Sequence, residues 1–567
     1  MTGLVQKTMN KQRFCRWILI FLIIFPWAAA SAAGPDIWLS GDGSLRTDAV
    51  AVSAASGNEY TFFLPGGAFR GGSLCFGIAD GISFRIGGTE IRTGDSAAML
   101  KPGGSYEVCV NGRNGTLKVC SGSAGLPALF IITESGKLSY IEASKKNRES
   151  GRMVLRTSDG TVQYDGELEH IKIRGNSSIQ FEKKNYQIKL AKGTDLLGMG
   201  KAKKWILTGN YRDKSCLRNM IMLDLSDAVG LRYTPQHAFA ELYVNHEYRG
   251  LYLFSEKVEI SDERVSIHNL EKETEKLNEP ALSSFRRIGE KEPVKGGWKA
   301  YDIENIPEDI TGGYLLEYEQ YTSRYADEPS AYRTKRGFVI DVKSPEYVSA
   351  GQMEYISSLV QSFENAILND DGTDPGTGKH YTEIADLESL VLKYMIEEIS
   401  ENYDGNSSSQ FFFKPRDDVS TKLFAGPAWD YDSTFGAYAT NRSADKVLNP
   451  QYLWIASEGK KYAWYPALYR HADFRSAVAR AWSEKVRPAV EILLGIRPSS
   501  PPLCSIDVYA GLIRDSAGMD RLRWPRRKNP STIAQTGYTF GENVRYLHDF
   551  LQQRYDFLNT AWTVDEP

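Results

Sequence analysis

The spacing of apolar and polar positions changes character along the chain. From about Gly34 to Gly125, short apolar runs such as Tyr60–Leu64 are separated by close-set turn signals, among them Pro65-Gly66-Gly67 and Pro102-Gly103-Gly104. That pattern predicts a small all-β unit, and a β-sandwich fits it. From about Pro127 to Lys257 the apolar runs lengthen: Ala128–Thr133, Ile171–Ile173, Tyr186–Leu190, Trp205–Leu207, Phe239–Val244 and Leu251–Phe254. The run Tyr186-Gln187-Ile188-Lys189-Leu190 alternates strictly, as a strand does. One helical segment interrupts them. Leu217, Met220, Ile221, Leu225 and Ala228 fall on one face, with Asp213 placed to cap the helix and Gly230 to end it. A mixed sheet with one internal helix is expected here.

Residues 262–300 are dense in charge and are expected to form a mobile insertion. Strands return at Tyr314–Glu317 and Phe338–Lys343. Beyond about residue 350 the period becomes helical. Asp386 precedes Leu387, Leu390, Val391, Tyr394, Met395 and Ile399, and a final helix carries Val544, Leu547, Leu551, Tyr555 and Leu558. The fold class is therefore α+β.

The length of 567 residues implies several domains. Lys and Arg total 68 against 71 Asp and Glu, for a net charge of -3, so no global basic field points to nucleic acid. The first 33 residues change the picture more. Lys7, Lys11, Arg13 and Arg16 precede the apolar run Trp17–Trp27, and alanines with one serine follow. This order is that of a secretory signal peptide cleaved near Ala33 or Gly34. The alternative is an uncleaved membrane anchor. Five of the six cysteines would remain after cleavage. Cys109 and Cys120 flank the turn-rich stretch Asn111–Gly115 and would face each other across a hairpin turn centred midway between them. They read either as a cross-strand disulfide or as two free thiols on one strand pair.

The candidate chemistry follows the helix that Asp386 caps. Asp404 sits in a loop, Gln410 leads into Phe411-Phe412-Phe413, and a second short strand delivers Asp430 and Asp432. The layout of helix, acidic loop, amide, hairpin and acidic turn is one that phosphoryl-transfer sites use. One carboxylate takes the acceptor hydroxyl's proton, and a second holds a metal against the phosphates. Asp404-Gly405 is also a common turn dipeptide. No H-E-x-x-H or G-x-S-x-G occurs, so metalloprotease and serine-hydrolase readings have no support.

Upstream motifs narrow the choice. Arg174-Gly175-Asn176-Ser177, Lys183-Lys184-Asn185-Tyr186-Gln187-Ile188-Lys189-Leu190, Asn210-Tyr211-Arg212-Asp213, Leu217-Arg218-Asn219, Glu241-Leu242-Tyr243-Val244-Asn245 and Gly426-Pro427-Ala428-Trp429-Asp430-Tyr431-Asp432 form an ordered series. Together they resemble the spore-coat protein H (CotH) kinase family of atypical secreted or coat-associated protein kinases, from about Pro127 to Trp562. The resemblance implies a two-lobed, kinase-like fold that binds ATP and Mg²⁺ and phosphorylates Ser/Thr-rich protein segments. The expected organisation is a signal peptide (1–33), a β-rich accessory domain (34–126), a mixed-sheet lobe with the charged insertion (127–350) and a helical lobe carrying the acidic site (351–567). A secreted, cell-envelope or spore-associated location follows, with membrane contact only through an uncleaved signal segment.

By position, the resemblance makes Asp404 the catalytic aspartate and Asp430 the metal-binding one. Lys189 stands where a strand lysine would reach the α/β-phosphates, with Lys184 as its rival. Arg174 and Asn176 lie in the family's RGNS loop. Lys189 also reads as an exposed strand lysine and Arg174 as a structural ion-pair partner. Two departures stand out. Gln410 replaces the family's usual Asn in a loop one residue longer, leaving Asn406 as a substitute metal ligand. His246 replaces a usual turn Gly. Asp432 reads as a second metal ligand or as a turn cap. The alternative functions are an inactive surface scaffold with the same fold and a carbohydrate-adhesion protein binding cell-surface glycan through the β-rich domain.

Overall fold

The computed structural model describes residues 34–55, 57–67, 74–290, 294–319, 328–440, 443–457, 463–525 and 539–563. The expected signal segment lies outside them. Among the described residues no helix is long and apolar enough to cross a membrane.

Two sheets make up the region up to Ser121. One is three-stranded, with Ile37–Ser40 between Val50–Ala51 and Cys75–Ile78; the other is six-stranded around Glu59–Leu64, Arg113–Ser121 and Ser105–Val110. Alternate residues of both sheets, including Leu39, Phe62, Phe76, Phe84, Val108 and Leu117, share one buried core. The cysteine symmetry does not survive. The hairpin turns on Asn111 and Gly112, both at positive φ, so Val110 pairs with Arg113 and Cys109 with Asn114. Cys120 lies opposite Phe63 instead. Cys109 and Cys120 are free thiols. The turn centre sits three residues earlier than symmetry assumed, because Asn-Gly is the sequence that adopts a two-residue turn without strain.

The mixed sheet expected next is a closed seven-stranded barrel. Its strands are Ala128–Thr133, Glu149–Arg156, Val162–Arg174, Asn185–Asp195, Lys201–Thr208, His237–Val244 and Glu247–Glu256. Closure comes from a parallel pairing of the first strand with His237–Val244, in register Ala128↔Glu241 to Ile131↔Val244. Inward residues such as Ile171, Ile173, Tyr186, Ile188, Trp205, Leu207 and Phe254 fill it. The period of 2 then forces Lys172, Arg174, Gln187 and Lys189 onto the outer face.

The helix inserted between barrel strands spans Arg218–Ala228. It starts five residues after Asp213, whose carboxylate still accepts the N–H of its first residue, Arg218, at 2.8 Å. Gly230, at φ 86°, ends it. The helix does not pack inside the barrel. Ile221, Met222, Leu223 and Leu225 join the large core of the C-terminal half.

That half is built on a second seven-stranded sheet. The charged stretch expected as a mobile insertion contributes the helix Leu270–Lys276 and the strands Arg287–Gly289 and Trp298–Tyr301 to this region. Tyr314–Glu319 and Val339–Ser344 pair with each other, and Gln410–Lys414 pairs with Tyr314–Glu319. The strands Arg287–Gly289, Trp298–Tyr301, Tyr314–Glu319, Ala331–Arg333 and Val339–Ser344, grouped by sequence with the first lobe, thus share a sheet with Gln410–Lys414 and a core with the helices that follow. Asp386 caps the helix Leu387–Ile399 through the N–H of Ser389, as the pattern predicts.

Helix Ile506–Arg523 ties the three parts together. Its Asp520 accepts from the buried Lys183 at 2.6 Å and from Leu251 N–H at 3.0 Å, both on the barrel. Its Ser516 hydroxyl accepts the N–H of Ser123 at 2.7 Å and donates to Glu241 at 2.6 Å. His246 serves the same junction. Asn245 and His246 both take positive φ in the turn where the family usually has Gly. The half-buried imidazole meets the Ala49 carbonyl at 3.2 Å, and the His246 carbonyl accepts from Ala51 N–H. The backbone strain of a left-handed His is offset by this docking of the N-terminal sheets.

Glu241 is fully buried at this junction, and burial pushes its carboxyl up to about 8 against the opposing hydrogen bonds from Ser516 and the Gly66 backbone. The native state therefore binds a proton that the unfolded chain releases above its ordinary carboxylate range. Stability is greatest below about pH 4.5 for this group and falls by about 1.4 kcal/mol per pH unit until about pH 8. Glu241→Gln is expected to flatten that part of the profile in denaturant titrations between pH 5 and 8. An unchanged slope would show that the group titrates normally.

Candidate active site

A cleft of about 860 Å³ runs between the outer face of the barrel and the C-terminal half. The barrel presents Lys172, Arg174 and Gln187 to it. The second sheet presents Glu317, Asp341 and Lys343. Asp404, Ser409, Asp430 and Asp432 come from the loops beyond the helix Leu387–Ile399.

Asp404 is fixed by a tight local fold. Its N–H donates to the Asn402 side chain at 3.1 Å, and its carbonyl accepts from Ser407 at 2.7 Å and Ser408 at 3.0 Å. Asn402 is itself held by Glu397, which accepts its amide at 2.7 Å. Glu397 also accepts from Lys393 one turn earlier and from the Tyr431 hydroxyl at 3.1 Å. One buried carboxylate thus joins the loop of Asp404 to the turn of Asp430.

The second turn is strained and doubly anchored. Asp430 lies at φ 68°, a left-handed conformation that costs a non-Gly residue about 1 kcal/mol or more. Asn219 accepts the N–H of Tyr431 at 2.7 Å. Arg218 donates to the carbonyls of Thr434 at 2.9 Å and Phe435 at 3.3 Å, while pairing with buried Asp213. Ser409, itself at φ 59°, donates to Asp430 at 3.2 Å. The motif Leu217-Arg218-Asn219 therefore clamps the acidic turn from behind.

The carboxylates act on one another. Asp430 reaches solvent in the cleft but has protein on its other sides; burial and then Asp404 raise its carboxyl, with Arg174, Ser409 and Arg212 opposing. Asp432 is pushed up to about 6 by burial and then by Asp430. Carboxylates that hold each other's protons on are placed to receive a cation. Among the described residues no group of three His, Cys, Asp or Glu side chains forms a ready-made metal site. Mg²⁺ does not require one. It takes one or two carboxylates and completes its shell with water and substrate phosphates, and the oxygen donors of Asp430 and Asp432 fit that habit.

The RGNS loop turns at Gly175, φ 99°, where a Cβ would stand 1.9 Å from Ser178 Oγ. Arg174 lies over the Trp429 ring at 5.0 Å, and burial lowers its pKa while Asp430 and Glu317 oppose. Asn176 accepts from Lys145 at 2.7 Å. Asp404, Asp430, Arg174 and Asn176 all line the cleft. Four other sequence candidates do not. Lys189 pairs with Glu169 at 2.5 Å on the barrel surface. Lys184 donates to the Ile179 carbonyl at 2.7 Å. Asn406 donates to the Ile455 carbonyl at 2.9 Å. Gln410 is buried, with its Nε2 3.4 Å from the Ser408 carbonyl and its Oε1 without a hydrogen bond. The loop brings Ser408 and Ser409 to the cleft in their place.

Sequence reasoning missed Arg212, Glu397, Glu398 and Arg554. Arg212 lies over the rings of Tyr438 at 4.3 Å and Phe181 at 5.1 Å and donates to Ser433. Arg554, fully buried on the last helix, pairs with Glu398 at 3.1 Å and Glu401 at 2.9 Å. Glu398 in turn accepts three backbone N–H groups at Trp454, Ile455 and Ala456. A signal for Arg554 existed: it falls on the apolar stripe of Leu547, Leu551 and Leu558. A charge on a buried face needs a partner inside.

The clamp yields a test. Arg218→Met leaves Asp213 buried without its counter-ion and is expected to destabilise the protein by about 3–5 kcal/mol. The double variant Asp213→Asn/Arg218→Met should recover part of that loss in chemical denaturation. A single variant as stable as the parent would remove the pair from this role.

Comparison with the curated proteins gives no match. The family model described as CotH kinase protein matches residues 171–558. That span runs from the barrel strand of Arg174 through both acidic turns to the helix of Arg554, more than half of the chain, and the protein belongs to the CotH kinase family.

Proposed function

We propose that the protein is an exported atypical protein kinase, transferring the γ-phosphate of ATP to Ser or Thr hydroxyls of a protein substrate with Mg²⁺. The carrying observation is that Asp404 and Asp430, separated in sequence by a hairpin, face one cleft opposite Arg174 and the Gly175 turn. Family membership supports the same reading. In it the barrel is one lobe of a kinase-like pair, the second sheet with its helices is the other, and the N-terminal sheets are an accessory sandwich. The leader directs export, and the coat-associated family suggests a spore or envelope location.

Arg174 and the Gly175 backbone hold phosphate oxygens. Asp430, with Asp432 beside it, would hold Mg²⁺, which when bound neutralises charge on the transferred group. Asp404 accepts the proton of the attacking hydroxyl as the oxygen–phosphorus bond forms and the bond to the ADP leaving oxygen breaks. Arg212 balances the acidic floor before substrate arrives.

One observation favours a second reading, an inactive scaffold of the same fold. The amide of Gln410 does not line the cleft, so the metal has one fewer side-chain ligand than the family pattern supplies. Incubation of the mature protein with labelled ATP and Mg²⁺ separates the two. Asp404→Asn is expected to lower turnover by at least about 10³-fold while nucleotide still binds, and Asp430→Ala to weaken Mg²⁺-dependent binding as well. Tight ATP binding without transfer to any Ser/Thr protein would favour the scaffold. Full activity in Asp404→Asn would end the kinase assignment as drawn.

A further inference from the structure

The cleft has a cationic wall of which the sequence motifs single out only Arg174. On the strand Val162–Arg174, Ile171 and Ile173 point into the barrel core, so Lys172 and Arg174 point out together. Both line the cleft, as does Gln187, which pairs with Lys172 on the neighbouring strand. Lys189 lies on the same outer face two residues further along. It stands beyond the cleft, and its ammonium is taken by Glu169.

Lys172 differs in one physical respect. Among the described residues its ammonium has no hydrogen bond and no ion pair. It is half-buried, and the charges acting on it are mostly of its own sign. Burial lowers its pKa, Arg148, Arg174 and Lys204 lower it further, and Glu346 opposes. A half-buried cation facing other cations is unfavourable until an anion arrives. Arg174 is the natural second arm: its planar fork also lacks a protein hydrogen bond and is braced on Trp429. The loop that follows turns at Gly175, where backbone can approach a ligand closely. Of the other lysines of the cleft, Lys343 is already held by Glu328 at 3.0 Å and Glu317 at 3.4 Å, Lys145 donates to Asn176 at 2.7 Å, and Lys146 is exposed rather than half-buried.

We propose that Lys172, acting with Arg174, is the lysine that binds the polyphosphate chain of the nucleotide, in the place that sequence position gave to Lys189. The inference rests on the kinase reading for the identity of the nucleotide, but the anion site itself rests on geometry alone. Its ligand class is a di- or triphosphate, because a point charge and a bidentate fork one residue apart on either side of Ile173 match successive phosphate groups better than a single one.

The test is calorimetric titration of the full mature protein with ATP, AMP and inorganic tripolyphosphate, each with Mg²⁺. The parent should bind ATP and tripolyphosphate well and AMP weakly. Lys172→Met should lose roughly ten- to a hundredfold in affinity for ATP and tripolyphosphate and change little toward AMP. Lys172→Arg should retain most of the affinity, Lys189→Met should match the parent, and thermal unfolding should show all three variants folded. If Lys172→Met binds ATP as the parent does, or if Lys189→Met carries the loss instead, the proposal is overturned. If the parent binds tripolyphosphate through Lys172 but discriminates no nucleotide, the anion site stands and the kinase reading fails.

Discussion

The buried pair of Arg218 and Asp213 is the constraint on which the site depends. Both side chains are almost wholly removed from water. A buried pair is weak as a source of net stability, because desolvation cancels much of the attraction. Its value lies in direction. Asp213 and Ser215 fix one arm of the guanidinium, and its other N–H groups donate to the carbonyls of Thr434 and Phe435. The strained turn at Asp430 is held from outside rather than by its own preferences. Asn219, one residue further on the same helix, completes the grip on Tyr431.

The same device recurs around Asp404. Glu397 gathers Lys393, Asn402 and Tyr431, and Arg554 gathers Glu398 and Glu401. Each is an ionic group buried within a helix. Each reaches across to a loop that carries chemistry. The acidic residues that face the cleft therefore need not satisfy one another and are left mutually repelling, as the raised carboxyls of Asp430 and Asp432 record. Stability is placed behind the site and electrostatic tension in front of it, which is the arrangement expected where a cation and phosphates are to be received.

Helix Ile506–Arg523 sets the relation between the parts. It packs with the C-terminal core, yet its Asp520 and Ser516 bond to the barrel and to the link from the N-terminal sheets.

Much of this was legible in the chain alone. A continuous apolar run located the strand at 128–133 and alternation the one at 186–190, the cap at Asp386 located its helix, and the ordered motifs identified the family. Period-2 patterning also fixed that Lys172 and Arg174 share a face. What it could not fix is which outward residues meet a second body. Lys189 and Lys172 have the same local signature; only the packing of the C-terminal half against one end of the barrel separates a lysine in a cleft from one paired on a surface. Barrel closure, the shared sheet of the strands within 287–344 with Gln410–Lys414, and the inward charges of Arg218 and Arg554 were hidden for the same reason. Each depends on contacts between residues more than sixty positions apart in sequence, and such contacts leave no period in the sequence between them.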